Sequence, residues 1–181
     1  MSIALNEDAL QEFQGFDDQG WICDRCGEPI KRAIDGWVQW RTSEAESRER
    51  KRNGQLPFGR DLQLVHHWSA STRPKDLGCG QHGCQFKEED PSFVVKGLHL
   101  QYFLGADGLM NLLEYIAEEE IDRSEILEMI KRLHIPGYEH AHLHFEKAIS
   151  EGIFEPNTFP GYYSQSNIEA VNNWRKTQEE D

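Results

Sequence analysis

The chain has 181 residues, 38% of them hydrophobic and including nine Phe, five Trp and five Tyr, and it carries a net charge of −13. That composition supplies a core and excludes wholesale disorder, and no run of about 18 apolar residues is present to span a membrane as a helix. The length suits one domain, or a small module joined to a second.

In chain order, the acidic and polar stretch Met1 to Phe16 reads as a lead-in with a helical turn or two over Asp8–Phe13. It lacks the basic start and apolar middle of a signal peptide, so a cytoplasmic protein is expected. From Trp21 to about Phe93 short extended runs alternate with turns. Gly36-Trp37-Val38-Gln39-Trp40 alternates apolar and polar residues as a half-buried strand does, and Leu62 to Trp68 is a second run rich in β-formers. Between them Ser43 to Gly59 is charged and polar, suiting a mobile loop or a short helix. Leu98–Leu104 reads as the joint to a helical half.

After Gly105, Asp107 is placed to cap a helix with Leu109, Leu112, Leu113 and Ile116 on one face. A helix from about Asp122 puts Ile126, Met129, Ile130 and Leu133 on one stripe and must stop before Pro136. A third, from about Gly137, turns Ala141, Phe145, Ala148 and Ile149 inward and ends near Gly152. Ser166 and Glu169 have the spacing of a capping box for a last helix carrying Ile168, Val171 and Trp174. The expected class is therefore α+β: a zinc-stapled β-rich module over 17–95, packed against a helical bundle over 105–178.

The zinc in that expectation comes from Cys23-Asp24-Arg25-Cys26-Gly27, the first half of a zinc knuckle. Two intervening residues let both sulfurs face one ion, and the glycine relieves crowding where amides turn toward the thiolates. A redox dithiol shares the spacing but opens a helix after a strand, whereas Pro29 and a strand follow here. In a reducing compartment four cysteines read as ligands or thiols; in a secreted chain they would read as two disulfides. A structural zinc takes four donors, so two more are needed from His66, His67, Cys79, His82 and Cys84. Cys79 and Cys84 would give four thiolates, while Cys84 with one histidine would give three sulfurs and a nitrogen. Adjacent strand residues point to opposite faces, so only one of His66 and His67 fits the same ion. The expected donors are thus drawn from Cys23, Cys26, His66, Cys79 and Cys84, around one structural Zn²⁺. The plainer reading makes the histidines a satisfied, partly buried pair and Cys79 a small core residue.

The succession CDRCGEPI, DGWVQW, LQLVHH, a cysteine, FLGADGLMNLL and IPGYEHA resembles an uncharacterised bacterial protein family in which similar stretches follow in the same order. The resemblance covers most of the chain and brings no established activity with it. It implies a site of Cys23, Cys26, one of His66 and His67, and Cys84. The chain departs from the pattern in the extra Cys79 and in the basic insertion around Arg48–Arg52, which leaves the fourth donor open.

Among activities, an HNH-like metal-dependent nuclease is the sharpest alternative, since Val65-His66-His67 lies between cysteine pairs. Eleven residues separate His67 from Cys79, without an Asn, which is short for the motif's loop, second strand and asparagine. Nucleic-acid binding by Arg48, Arg50, Lys51, Arg52 and Arg60 beside Trp37, Trp40 and Trp68 is opposed by the interleaved Glu44, Glu46 and Glu49. Residues 105–181 also hold 16 acidic against 6 basic residues, which repels a phosphate backbone. His140, His142 and His144 lack the partners of a di-metal bundle and are expected to be exposed polar residues. No nucleophile elbow, P-loop or dinucleotide fingerprint is present. The expected role is therefore protein–protein binding or regulation, with another protein as partner and neither membrane nor nucleic acid.

Overall fold

The alternating run at Gly36 does form a strand, and it becomes the centre of the sheet. The computed structural model describes residues 20–67, 84–85, 90–156 and 159–179. Within them β3 (Gly36–Ser43) is flanked by β4 (Gly59–His66) and β5 (Phe93–His99), both antiparallel to it. A two-residue hairpin, β1 (Trp21–Ile22) with β2 (Pro29–Ile30), stands apart from that sheet. The charged stretch between β3 and β4 is helix α1 (Glu44–Arg52), whose first turn is capped by the Ser43 hydroxyl. Five further helices follow: α2 (Gly105–Ala117), α3 (Arg123–His134), α4 (Tyr138–Ala141), α5 (Phe145–Ser150) and α6 (Gln165–Glu179). The class is α+β, and no helix of the described residues is long and apolar enough to cross a membrane.

β4 carries a bulge where Arg60 to Gln63 oppose Arg41 and Gln39, with Asp61 in the left-handed region at φ 59°. The bulge turns the amides of Asp61 and Leu62 away from the ladder. The Glu125 carboxylate, in the first turn of α3, accepts both, at 3.1 and 2.8 Å. At Gly59 the outward amide donates to the Glu120 carbonyl at 2.7 Å, and the outward carbonyl accepts from Asp122 at 2.9 Å. α3 is thereby seated along the outer side of β4.

One apolar cluster joins Ile30, Val38, Trp40, Leu64 and Val65 to Phe103, Leu112, Ile126, Met129 and Leu133, so the sheet, α2 and α3 share a core. α3 buries the stripe read from its sequence. α2 departs from its own in part: the helix begins at Gly105 with Leu104 rather than Asp107 at its N-cap, and Leu112 and Ile116 face inward as expected, with Gly108 and Tyr115, but Leu113 is exposed. The reason is the close approach of Phe103, whose carbonyl carbon would lie 2.1 Å from a Cβ at Gly108. That contact fixes Gly108 inward and rotates Leu113 out.

A second, smaller cluster of Tyr138, Ala141, Phe145, Ala148, Ile168 and Val171 belongs to α4, α5 and α6. The single helix expected from Gly137 is broken by a 3-10 turn over His142–His144, yet Ala141, Phe145 and Ala148 all still face inward. α6 is capped two residues earlier than expected, by Ser164 rather than Ser166. Asn167 donates its amide to the Ser164 hydroxyl at 3.2 Å, and the Ser164 amide donates back to the Asn167 side-chain oxygen at 3.1 Å.

Asp122 caps α3, accepting from the Ser124 amide at 2.9 Å and the Glu125 amide at 3.4 Å. The Ser124 hydroxyl above all, helped by these amides and by Arg60, holds the Asp122 carboxyl below its usual range against the opposing effect of burial. Asp122→Ala is expected to destabilise the protein by about 1 kcal/mol in urea denaturation. Because the folded carboxyl titrates low, that difference should be complete above about pH 4 and shrink on further acidification. A difference that grew as the pH fell would contradict this role.

Candidate metal centre

The CxxC segment is the loop of the β1–β2 hairpin. Gly27 takes φ 76° and donates to the Cys23 carbonyl at 2.9 Å, and the Cys23 amide donates to the Glu28 carbonyl at 3.0 Å. The positive φ is what the glycine after the second cysteine supplies. What brings this loop to the sheet is Asp24. Its amide donates to the Leu64 carbonyl at 2.8 Å, and its carboxylate accepts from the Leu64 amide at 2.7 Å. Asp24 thus occupies both outward groups of Leu64 on β4, two residues before His66, and the thiols arrive beside that ring.

The structure brings together Cys23, Cys26, His66 and Cys84, with one donor atom from each and all four within 4.8 Å of one another. His66 Nδ1 lies 3.5 Å from Cys26 Sγ and 3.9 Å from Cys84 Sγ. A tetrahedral ion with ordinary bond lengths to sulfur and nitrogen would separate S and N by about 3.6 Å and two sulfurs by about 3.8 Å. The cluster therefore fits and could hold one metal ion. All three cysteines are thiols, Cys23 and Cys84 being buried and Cys26 half-buried.

His66 is oriented for this. Its Nε2 donates to the Pro29 carbonyl at 3.3 Å, and since a carbonyl only accepts, the proton sits on Nε2. Nδ1 then presents its lone pair to the sulfurs, the orientation that a backbone carbonyl commonly imposes on a ligating histidine. Burial pushes the Cys23 thiol up, but the His66 ring and the backbone amides of Arg25, Cys26 and His66 outweigh it and bring it down to about 6. The amides of Arg25 and Cys26 are the ones a CxxC loop turns toward its thiolates, and that of His66 comes from the end of β4.

His67 faces elsewhere. Its ring packs on His99 at 4.2 Å between centroids and on Trp37 at 5.1 Å. Burial, then the neighbouring His99, hold it below the usual histidine range, with Asp35 opposing. Cys79 and His82 lie outside the described residues, as does Trp68. The C-terminal histidines differ from the expectation of exposed side chains. His140 is buried and its Nε2 donates to the Gly20 carbonyl at 2.9 Å, His142 stacks on Tyr138, and His144 meets the edge of Trp174. The 3-10 turn and the inward path of α4 account for this.

Sequence reasoning missed the residues behind the thiols. Arg132, on α3 and 7% exposed, donates from Nη1 to Asp24 at 2.9 Å and from Nη2 to the Ile22 carbonyl at 3.1 Å. It also grips Glu139, on α4, through Nε at 2.6 Å and Nη2 at 2.9 Å, and Glu139 in turn accepts from the Ile22 amide at 2.8 Å. Burial alone would lower the Arg132 pKa, but Glu139 and Asp24 raise it, so the guanidinium is firmly charged. An arginine near a helix C-terminus reads as a solvated end, which is why no local signal gave it away.

No protein-family model matches the chain, and neither a curated protein nor a solved structure does so.

The two adjacent histidines should separate cleanly in a Co²⁺ or Zn²⁺ competition titration. His66→Ala and Cys84→Ala should each weaken binding by at least about tenfold, while His67→Ala, whose ring faces Trp37 and His99, should bind as wild type does. Equal losses from His66→Ala and His67→Ala would show that the wrong ring has been assigned.

Proposed function

We propose that the Cys3His site holds one structural zinc ion, and that the chain acts by binding another protein. The observation that carries this reading is the convergence of three sulfurs and one oriented imidazole nitrogen on a single tetrahedral space. Thiolates with imidazole suit zinc among the common divalent ions, and a Cys3His set is a closed one, with no position left for water. A hydrolytic ion needs such a position. His66 is committed to the thiols and His67 to Trp37 and His99, so the nuclease alternative gains no support from the geometry. A two-residue hairpin is too short to hold its own loop, and zinc would staple it.

For the partner, the outward face of α2 is the guide. Met110 and Leu113 are more than two-fifths exposed there, flanked by exposed Asp107, Glu114 and Glu118, and the helix contains no basic residue. An apolar strip with an acidic rim suits an apolar segment of another protein carrying Lys or Arg beside it.

Elemental analysis after purification without added metal should give one zinc per chain, and Cys23→Ser or Cys26→Ser should lose it. A folded protein with titratable thiols and no metal would sink the proposal.

The zinc-loaded protein should leave plasmid, single-stranded DNA and RNA intact with Mg²⁺ or Mn²⁺ present. Met110→Glu with Leu113→Glu should retain the zinc yet release whichever protein co-purifies with the wild type. Cleavage that His66→Ala or His67→Ala abolishes would establish the nuclease instead.

A further inference from the structure

The segment Ile22 to Asp24 is held from two sides. On one side Cys23 belongs to the Cys3His cluster. On the other, both backbone groups of Ile22 and the carboxylate of Asp24 are bound by Arg132 and Glu139. These side chains come from α3 and α4, more than a hundred residues away in sequence, and each is only 7% exposed. Charges so far from water are stable only while every partner is in place, because removing one leaves its opposite buried and unmatched. A further tie runs beside them, from His140 on α4 to the Gly20 carbonyl just before β1.

The apolar core does not make this connection. α4, α5 and α6 have their own cluster, and the buried residues of that cluster are separate from those uniting the sheet with α2 and α3. Between the two clusters lie the Pro136-Gly137 turn and the polar network at β1. The C-terminal helices therefore dock partly on α3, where the Glu128 carboxylate accepts from the Tyr138 hydroxyl at 2.9 Å, and partly on the piece of chain whose conformation a metal ion would set.

We propose that occupancy of the Cys3His site governs how firmly α4, α5 and α6 dock on the rest of the protein, through the Asp24–Arg132–Glu139 network. This rests on the metal-binding reading above. With the ion bound, Cys23 fixes Ile22 and Asp24 where the guanidinium and the Glu139 carboxylate meet them. Without it, the six-residue loop is left to the Asp24–Leu64 hydrogen bonds and its own backbone contacts, and the buried charges meet partners that are less firmly fixed. Linkage makes the effect reciprocal: damage to the network must weaken the metal by the same factor that the metal strengthens docking.

The experiment is hydrogen exchange on the full chain, with one equivalent of Zn²⁺ and after chelation, together with Zn²⁺ affinities of wild type and Glu139→Gln. Peptides from α4, α5 and α6 should lose protection on chelation, while those from α1 and β3, away from the network, keep most of theirs. Glu139→Gln, which touches no thiol, should weaken Zn²⁺ by about tenfold, as loss of a supporting residue behind a metal site does. Should that variant not fold, the double variant Arg132→Met with Glu139→Leu removes both charges and takes its place, with the same loss of affinity expected. A wild type that binds no Zn²⁺ defeats the metal reading itself. Zn²⁺ bound through the cysteines, with exchange in α4 to α6 unchanged or lost equally everywhere, overturns the coupling alone. So does an unaltered affinity in the charge variants.

Discussion

Asp24 ties the hairpin loop to two distant parts of the chain, the strand β4 and the helix α3. Its amide and one carboxylate oxygen take the outward carbonyl and amide of Leu64, and the same oxygen meets Arg132. The first pair fixes where along β4 the hairpin loop lies, and so places Cys23 and Cys26 beside His66 rather than elsewhere on that strand. The second carries the loop's position to α3 and, through Glu139, to α4. The hairpin loop, β4 and the consecutive helices α3 and α4, three regions remote in sequence, are thus aligned by one short side chain. Asp24 fills the gap between the two cysteines, where only the spacing, and not the identity, is demanded by a metal site.

Much of the local structure was legible. The alternation at Gly36, the stripe of α3 with its start near Asp122, and the stop before Pro136 follow from periodicities and backbone restrictions that act within a few residues. Cys23 and Cys26 were legible because two ligands close in sequence leave a spacing. The choice of His66 over His67 was not. Strand alternation says that they diverge, but the face toward the loop is settled by the pairing of Asp24 with Leu64. Arg132 and Glu139 were invisible for a related reason: seven residues apart across a turn, they are joined by burial, which depends on β1 arriving from far upstream. Leu113 and His140 were misjudged because each helix face was fixed by a backbone approach, of Phe103 to Gly108 and of Gly20 to His140.

The division of labour between apolar and polar contacts is uneven. Sheet, α2 and α3 are united by aliphatic and aromatic burial, which is strong but undirected. The hairpin and α4 are attached by hydrogen bonds and charges, which are weaker in net terms but specify position. The stable part of the molecule lies where direction matters least, and the directed contacts gather around the thiols.

The outer side of β4 carries a further consequence. It is an outermost strand, yet from Gly59 to Leu64 its outward groups are taken in turn by Glu120, Asp122, Glu125 and Asp24. The first three belong to α3 and its approach, and they guard the strand whatever happens at the thiols. Leu64 depends on the hairpin loop alone. If that loop swings away, the margin of the sheet opens at its most apolar point, where Leu64 and Val65 are wholly buried. An unpaired margin of this kind is a template for a strand from another copy, and so for aggregation. The loop that carries the thiols is therefore also a guard against self-association.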